Sequence, residues 1–454
     1  MEKQTPTIFL PTPVRNVMNR LQGAGFEAFA VGGAVRDALL GRPVHDWDLT
    51  TSATPEEVRR VFSDLPVLET GIKHGTVTVL IGQMPIEITT FRTESGYSDK
   101  RHPDSVVFSS SVEDDLCRRD FTVNAIAYNE SRGLVDPFGG AKDLRHRIIR
   151  CVGDPNRRFS EDALRILRAA RFSSVLGFSI DADTLSAANR LAPALRDISA
   201  ERLFAELKKL LCGENVREVL ELCRRILFAV IPELKPCDGF LQHNPHHLYD
   251  VYGHIVRSVE AIAPDPVLRL VMLLHDIEKP ACFSADADGV GHFYGHERKS
   301  AQTAGNILRR LKCDNRTRED VVFLIEKHMI LLDPDPKLML RRLNQYGERR
   351  LKMLIAVRRA DAIACGTHGD DLPQIDACEV LVERLCAERR CFSLKDLAVN
   401  GHDLTAKGFS GEEIGRALRL LLQRVMDGTA ENSRTALLAE IDTLTHESLS
   451  ECEK

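Results

Sequence analysis

No stretch of the 454-residue chain approaches the roughly 18 consecutive apolar residues of a bilayer span. The opening Met1-Glu2-Lys3-Gln4 lacks the charged-then-apolar pattern of a signal peptide, so the expectation is a cytoplasmic protein with no membrane partner. No two of the 12 cysteines stand in Cys-x-x-Cys spacing, and they fall singly from Cys117 to Cys452. In an intracellular chain that scatter argues against a disulfide framework or a zinc site and predicts free thiols, many of them in cores. An overall basic excess is also missing: 61 Lys and Arg face 66 Asp and Glu, a net charge of -5, which argues against a general polyanion binder. Internal repeats and low-complexity segments are absent too.

What is present is length enough for about three domains with cores of their own. Residues 26–150 alternate strand-like runs, Ala28–Val31, Thr76–Ile81 and Ile86–Phe91, with turns and helices such as the one opened by Thr54-Pro55. From Ser160 the apolar spacing becomes helical, through Leu164, Leu167 and Phe172. Leu234-Lys235-Pro236-Cys237-Asp238-Gly239 reads as a linker, and Asn244-Pro245-His246-His247 opens a second helical unit. The fold class expected is α+β, with segments at 1–150, 151–235, 236–365 and 366–454. One local basic excess exists: from Lys142 to Arg171, nine Lys and Arg face four Asp and Glu. It reads either as a phosphate-facing surface or as a helical face laced with ion pairs.

The most informative residues are Asp46 and Asp48, in Asp46-Trp47-Asp48-Leu49-Thr50-Thr51. Side chains at i and i+2 of an extended segment project from one face, so both carboxylates can hold the same Mg²⁺ ions. That is the arrangement of two-metal transfer at phosphorus. About ten residues earlier, Gly32-Gly33-Ala34-Val35-Arg36-Asp37 lets backbone approach a phosphate at Gly33 and supplies the Arg36 cation. Glu87, expected to face away from Ile86 and Ile88, either completes the catalytic metal set or is an exposed strand residue. Taken together, these residues resemble the polymerase-beta-like nucleotidyltransferases, and most closely the class II tRNA nucleotidyltransferases, or CCA-adding enzymes.

Further motifs follow in that family's order. Arg118-Arg119-Asp120-Phe121-Thr122-Val123-Asn124 is similar to its ribose-recognition string; the resemblance implies that Arg119 contacts the nucleotide and Asp120 the ribose. Asp136-Pro137-Phe138-Gly139-Gly140 is a turn entering a helix. In Glu161-Asp162-Ala163-Leu164-Arg165-Ile166-Leu167-Arg168-Ala169-Ala170-Arg171, a helix running through the string lines up Asp162, Arg165, Arg168 and Arg171 along one side. The resemblance implies that Asp162 and Arg165 select CTP and ATP without a nucleic-acid template. The polar segment Arg92–Pro103 matches in place the family's flexible loop, at full length, which favours addition of CCA or of A. Near the C-terminus, Leu397–Leu404 loosely resembles a segment of the family's tRNA-holding tail.

A second constellation, His254, His275-Asp276, His296, His328 and Asp361, resembles the HD superfamily of metal-dependent phosphohydrolases. Imidazole and carboxylate suit a range of divalent ions, and the identity of this one is left open. His296 and His328 match that superfamily's optional second-metal ligands, while Glu278 stands where a glycine often follows His-Asp. The whole pattern implies a polymerase-beta-like head at 1–150, a helical neck at 151–235, an HD domain at 236–365 and a tRNA-binding tail at 366–454. The expected reaction adds C, C and A to a tRNA 3′ end from CTP and ATP, with Mg²⁺ in the head. The alternatives are poly(A) synthesis or A addition alone, and, in another class, an HD phosphohydrolase whose head only binds RNA.

Overall fold

The computed structural model describes residues 8–69, 71–72, 75–95, 105–366 and 371–443. Most of the Arg92–Pro103 loop, Met1–Gln4 and Cys452 lie outside the described residues. The chain divides into two compact units, Met1–Glu233 and Leu234–Lys454. Among the described residues eleven cysteines are free thiols.

In the first unit the elements are α1 (Thr12–Gly23), β1 (Ala28–Val31), α2 (Gly33–Leu39), β2 (Asp48–Thr51), α3 (Pro55–Val61), β3 (Val67–Leu68), β4 (Thr76–Ile81), β5 (Met84–Thr90), β6 (Arg92–Ser95), β7 (Ser105–Phe108), α4 (Val112–Cys117), β8 (Ala127–Asn129), β9 (Gly133–Val135) and α5 (Gly140–His146). Seven strands form one sheet in the order β3-β4-β5-β2-β1-β8-β9. Every neighbouring pair is antiparallel except β2 and β5, which run parallel at its centre. Alternation decides which face is covered: Ile86 and Ile88 of β5 and Val77 and Val79 of β4 point inward, and Glu87 points out. Helix α1 buries Val14, Val17, Met18 and Leu21, a helical stripe. Thr54 and Glu57 close a capping box around α3, with Pro55 at its first turn.

The sheet gives way to helices: β10 (Ile148–Ile149), α6 (Pro155–Glu161), α7 (Leu164–Leu176), β11 (Ser179–Ile180), α8 (Ala182–Leu191), α9 (Ala200–Leu211), α10 (Val216–Leu222) and α11 (Arg224–Val230). One expectation is corrected here. Asp162 is not on a helix with Arg165, Arg168 and Arg171; it lies between α6 and α7 with extended backbone, φ -142° and ψ 104°. Its Oδ1 accepts the Leu164 N–H at 3.0 Å, so the short carboxylate competes with the helix ladder and starts a new helix instead.

The second unit is helical: α12 (Val251–Ala261), α13 (Pro266–Leu274), a small hairpin of β12 (Ser284–Ala285) and β13 (Gly291–His292), α14 (His296–Arg310), α15 (Asn315–Lys327), α16 (Pro336–Tyr346), α17 (Glu348–Ala364), α18 (Leu372–Ala387), α19 (Gly401–Ala406), α20 (Glu412–Met426) and α21 (Arg434–Thr443). One apolar cluster runs from Leu332 through Ile355, Val382 and Leu421 to Ile441. A separate polar centre draws on α12 to α15 and on Asp361 of α17.

The turn at Gly139-Gly140 shows how tightly the first unit is closed. Asp136 caps α5, accepting the N–H groups of Gly140 at 2.6 Å and Ala141 at 2.9 Å. A Cβ on Gly140 would sit 2.1 Å from the Thr122 carbonyl oxygen, a backbone atom that cannot swing aside. Gly140→Ala is therefore expected to destabilise the first unit by about 1–3 kcal/mol, the usual cost of overpacking. Denaturant unfolding measures this, and an unchanged midpoint would contradict the packing described.

Candidate functional sites

The strand pairing builds the first site. In the β2–β5 pair Asp48 stands directly beside Glu87. Asp46 precedes the strand by two residues, and the sequence Asp46 exposed, Trp47 buried, Asp48 exposed shows both carboxylates on one face. Asp48 is reached by solvent, yet its recess is crowded. Desolvation first, then the charges of Glu87 and Asp46, raise its carboxyl above the ordinary value, against the pull of Arg119. Asp46, Asp48 and Glu87 thus share one face and act on each other's charge at Asp48, oxygen donors of the kind a divalent cation takes, although their oxygens do not converge as closely as those of the second unit's cluster.

Arg119 is held behind them. A Cβ on Gly32, whose φ is +72°, would lie 2.9 Å from its Nη1, so glycine is what allows the guanidinium this close to the backbone. Buried Asp115 accepts from Arg119 at 3.3 Å and from Arg118 at 2.7 and 3.0 Å. Gly33 opens α2, and Arg36 forms a fork with Asp37 at 2.9 and 2.8 Å while donating to Asn124 at 2.7 Å. Asn124 in turn donates to Asp120 at 3.1 Å.

Asp120 accepts both Nε–H and Nη2–H of Arg168, at 2.9 and 2.6 Å. Burial alone would raise its carboxyl, but the Arg168 charge and the bonds from Arg168 and Asn124 outweigh it and hold it at about 2. Arg168 also lies 3.5 Å from Glu206 of α9, which binds Arg171 as well. The ring of Phe172 sits under three guanidiniums, 3.7 Å from Arg171 and 5.3 Å from both Arg36 and Arg168, and meets Phe121 edge-on at 5.6 Å.

Asp162 and Arg165 are not paired with each other. Asp162 accepts from Arg202 of α9 at 2.7 Å, while Arg165 donates to Glu161 at 2.8 Å and to the Arg118 carbonyl at 3.1 Å. The local basic excess is thus largely a network of ion pairs: Arg157 and Arg158 also reach Glu161, and Arg150 reaches Asp143 and Asp181. Sequence reasoning missed Glu161, Phe172, Arg202 and Glu206 as partners. Glu161 and Phe172 stood inside a quoted motif, whereas Arg202 and Glu206 lie on a later helix with no local signal.

The second site assembles all six expected residues in the second unit. His254 Nε2 lies 3.0 Å from Asp361 and 3.3 Å from both Asp276 and His275. The other oxygen of Asp276 is 3.2 Å from His296 Nε2 and 3.8 Å from His328 Nε2. Asp276 therefore joins two ligand groups, His254–His275–Asp276–Asp361 and Asp276–His296–His328, all buried. The Nδ1–H groups of His275, His296 and His328 donate to the carbonyls of Met272, Phe293 and Ile325 at 2.7–2.8 Å, which leaves each Nε2 free to bind. Both Asp276 oxygens lack a hydrogen-bond donor of good geometry although buried, and Lys279 approaches at 2.7 Å. A cavity of about 510 Å³ opens onto the cluster, lined also by Tyr294, Met329 and Arg358. Glu278, in the place of the often-seen glycine, accepts from Thr303 at 2.6 Å and so ties the turn to α14.

The Asp120–Arg168 pair gives a pH expectation. A carboxyl held near 2 when folded and near 4 when unfolded contributes stability that is present above about pH 4 and is lost as pH falls through about 2. The contribution is about 2 kcal/mol. In Asp120→Asn this part of the acid limb should vanish, as measured by unfolding between pH 5 and 2; an identical acid limb in the variant would contradict the pairing. Arg168→Ala, which strands a buried carboxylate, should cost about 3–5 kcal/mol in the same unfolding measurement at neutral pH.

Comparison with known proteins agrees in order along the chain. A family model for the poly A polymerase head domain matches residues 28–150, one for the RNA and SrmB binding site of polymerase A matches 177–237, and one for tRNA nucleotidyltransferase domain 2 matches 296–441. A CCA-adding enzyme of Pediococcus pentosaceus is 50% identical over 207 residues, a match that spans 46% of this chain and only about half, 52%, of that protein. The CCA-adding enzyme of Lactobacillus helveticus is 51% identical over 94% of this chain and 96% of its own. The crystal structure of a Bacillus stearothermophilus CCA-adding enzyme in complex with CTP is similar at a TM-score of 0.70 and 31% identity, covering 95% of this chain and 98% of that one. With identity of this level along nearly its full length, the chain belongs to the CCA-adding enzymes, a family of tRNA nucleotidyltransferases.

Proposed function

We propose that the protein transfers CMP, CMP and AMP from CTP and ATP to the 3′ hydroxyl of a cytoplasmic tRNA, releasing pyrophosphate each time. The observation that carries this reading is the register that sets Asp48 beside Glu87 with Asp46 on the same face. Enzymes of this kind depend on a metal, and Mg²⁺ is the ion proposed for Asp46, Asp48 and Glu87; when bound it would activate the hydroxyl and neutralise the triphosphate. Arg119 reaches the triphosphate over the Gly32-Gly33 turn, and Arg36, already braced by Asp37, adds charge. Asp120 and Asn124, fixed by Arg168, orient the ribose. Asp162 and Arg165 present an acceptor and a donor fork to the base, each held from behind by Arg202 or Glu161. Positioning and charge then supply most of the rate. In domain terms we assign 1–150 to the head, 151–235 to the neck, 236–365 to an HD domain and 366–454 to a tail that holds tRNA.

For the second unit we propose a divalent-metal centre of HD type with phosphohydrolase activity, because six buried ligands converge in two groups that share Asp276. Assays with p-nitrophenyl phosphate and 2′,3′-cyclic nucleotides, under Mg²⁺, Mn²⁺, Ni²⁺ and Co²⁺ in turn, test it; no hydrolysis with any ion would leave only a bracing role.

Two variants test the head. Asp48→Ala should abolish nucleotide addition with tRNA affinity nearly intact, measured by incorporation and by filter binding; normal turnover would sink the assignment. Asp162→Ala should cost about 1–3 kcal/mol of discrimination, a loss of roughly five- to 150-fold in the preference for CTP and ATP over UTP and GTP. Wild-type preference among the four nucleotides would remove Asp162 from base selection.

A further inference from the structure

His254 differs from the other three histidines of the second unit's centre. His275, His296 and His328 each anchor Nδ1 on a backbone carbonyl. His254 turns Nε2 to Asp361 and Asp276, and its Nδ1 is buried without a hydrogen-bond partner. Beside it lies another imidazole with the same defect. His247, edge-on to it with ring centroids 5.1 Å apart, also buries an unpartnered Nδ1. Cys365 completes the group: ligand atoms of His247, His254 and Cys365 lie within 4.8 Å of one another.

The backbone is built to hold these three together. The Leu248 N–H donates to the Cys365 carbonyl at 3.1 Å. Gly366, at φ +74°, lets the Tyr249 ring come so close that a Cβ there would be 2.8 Å from it. His247 itself is fixed by its N–H to the Asn244 carbonyl at 3.1 Å, and Asn244 donates to the Gly291 carbonyl at 3.0 Å. Two buried imidazole nitrogens without partners are costly unless something binds them. Beside a thiol, that something is a cation softer than Mg²⁺.

We propose that His247, His254 and Cys365 form a site for a thiolate-preferring divalent ion, Zn²⁺ being the representative case, distinct from the nitrogen and oxygen centre beside it. Binding releases the Cys365 thiol proton to solvent and forms one metal–sulfur and two metal–nitrogen bonds. A neutral imidazole has one free lone pair, so His254, which both groups share, serves one ion at a time, and in serving this one it leaves the adjacent centre. Zn²⁺ on the thiolate and full ligation of the neighbouring centre exclude each other, which makes the trio a selector between soft and hard ions. The inference does not depend on any hydrolytic activity.

Co²⁺ is the probe, because a cobalt–thiolate bond gives a near-ultraviolet charge-transfer band that nitrogen and oxygen ligation does not. Titrating the full chain should produce this band, and Zn²⁺ should bleach it. Cys365→Ser should lose it, His247→Gln should weaken the band-forming affinity by about 10–100-fold, and His275→Ala with Asp276→Ala should keep it. Circular dichroism checks that each variant is folded, and Cys365→Ala serves if the serine variant is not. Absence of the band in wild-type protein, or its persistence without the Cys365 thiol, overturns the proposal. Cobalt still bound without the band in Cys365→Ser supports the neighbouring centre on its own, so the two can fail separately.

Discussion

Placing Asp46, Asp48 and Glu87 on one face of the first unit's sheet sets like charges near Asp48, and strand pairing is what holds them there. The parallel pairing of β2 with β5 fixes Asp48 beside Glu87, and alternation about buried Trp47 brings Asp46 to the same face. A sheet centre covered by apolar side chains supplies the rigidity that repelling charges need. At Asp48 desolvation first, then Glu87 and Asp46, raise the carboxyl against the pull of Arg119. A divalent cation placed among them would relieve that repulsion, which is the physical basis of the metal site proposed above.

Around this centre the guanidiniums are not loose. Each is aimed by a carboxylate behind it: Arg119 by Asp115, Arg36 by Asp37, Arg168 by Asp120 and Glu206, Arg165 by Glu161. Donors pre-organised in this way lose less entropy on binding a ligand, and the cost of ordering them is met during folding. Phe172 of α7 packs beneath three guanidiniums, those of Arg36, Arg168 and Arg171. Segments that look polyanion-binding by composition thus turn out to be largely internal electrostatics.

The legibility of this chain in its sequence follows a physical rule. Features set by residues close in sequence could be read, namely the strand at Thr76–Ile81, the Thr54 cap and the Asp46–Asp48 alternation, whereas the series from His254 to Asp361 was reached through its resemblance to the HD superfamily. Asp162 was misplaced because helical spacing cannot reveal a carboxylate that caps the following turn and breaks the helix. Arg202 and Glu206 were invisible because their meaning comes only from α9 packing against α7. The unsatisfied Nδ1 atoms of His247 and His254 likewise exist only in three dimensions, although His246-His247 had marked the start of that unit.

The measurement that reaches the central claim most directly uses purified protein with three tRNA substrates, ending before CCA, after C and after CC, each incubated with one nucleotide at a time. The account predicts CMP addition to the first two, AMP addition to the third, and no extension beyond the completed end. Repeated AMP addition to any substrate, or failure to add CMP to the first two, would contradict it.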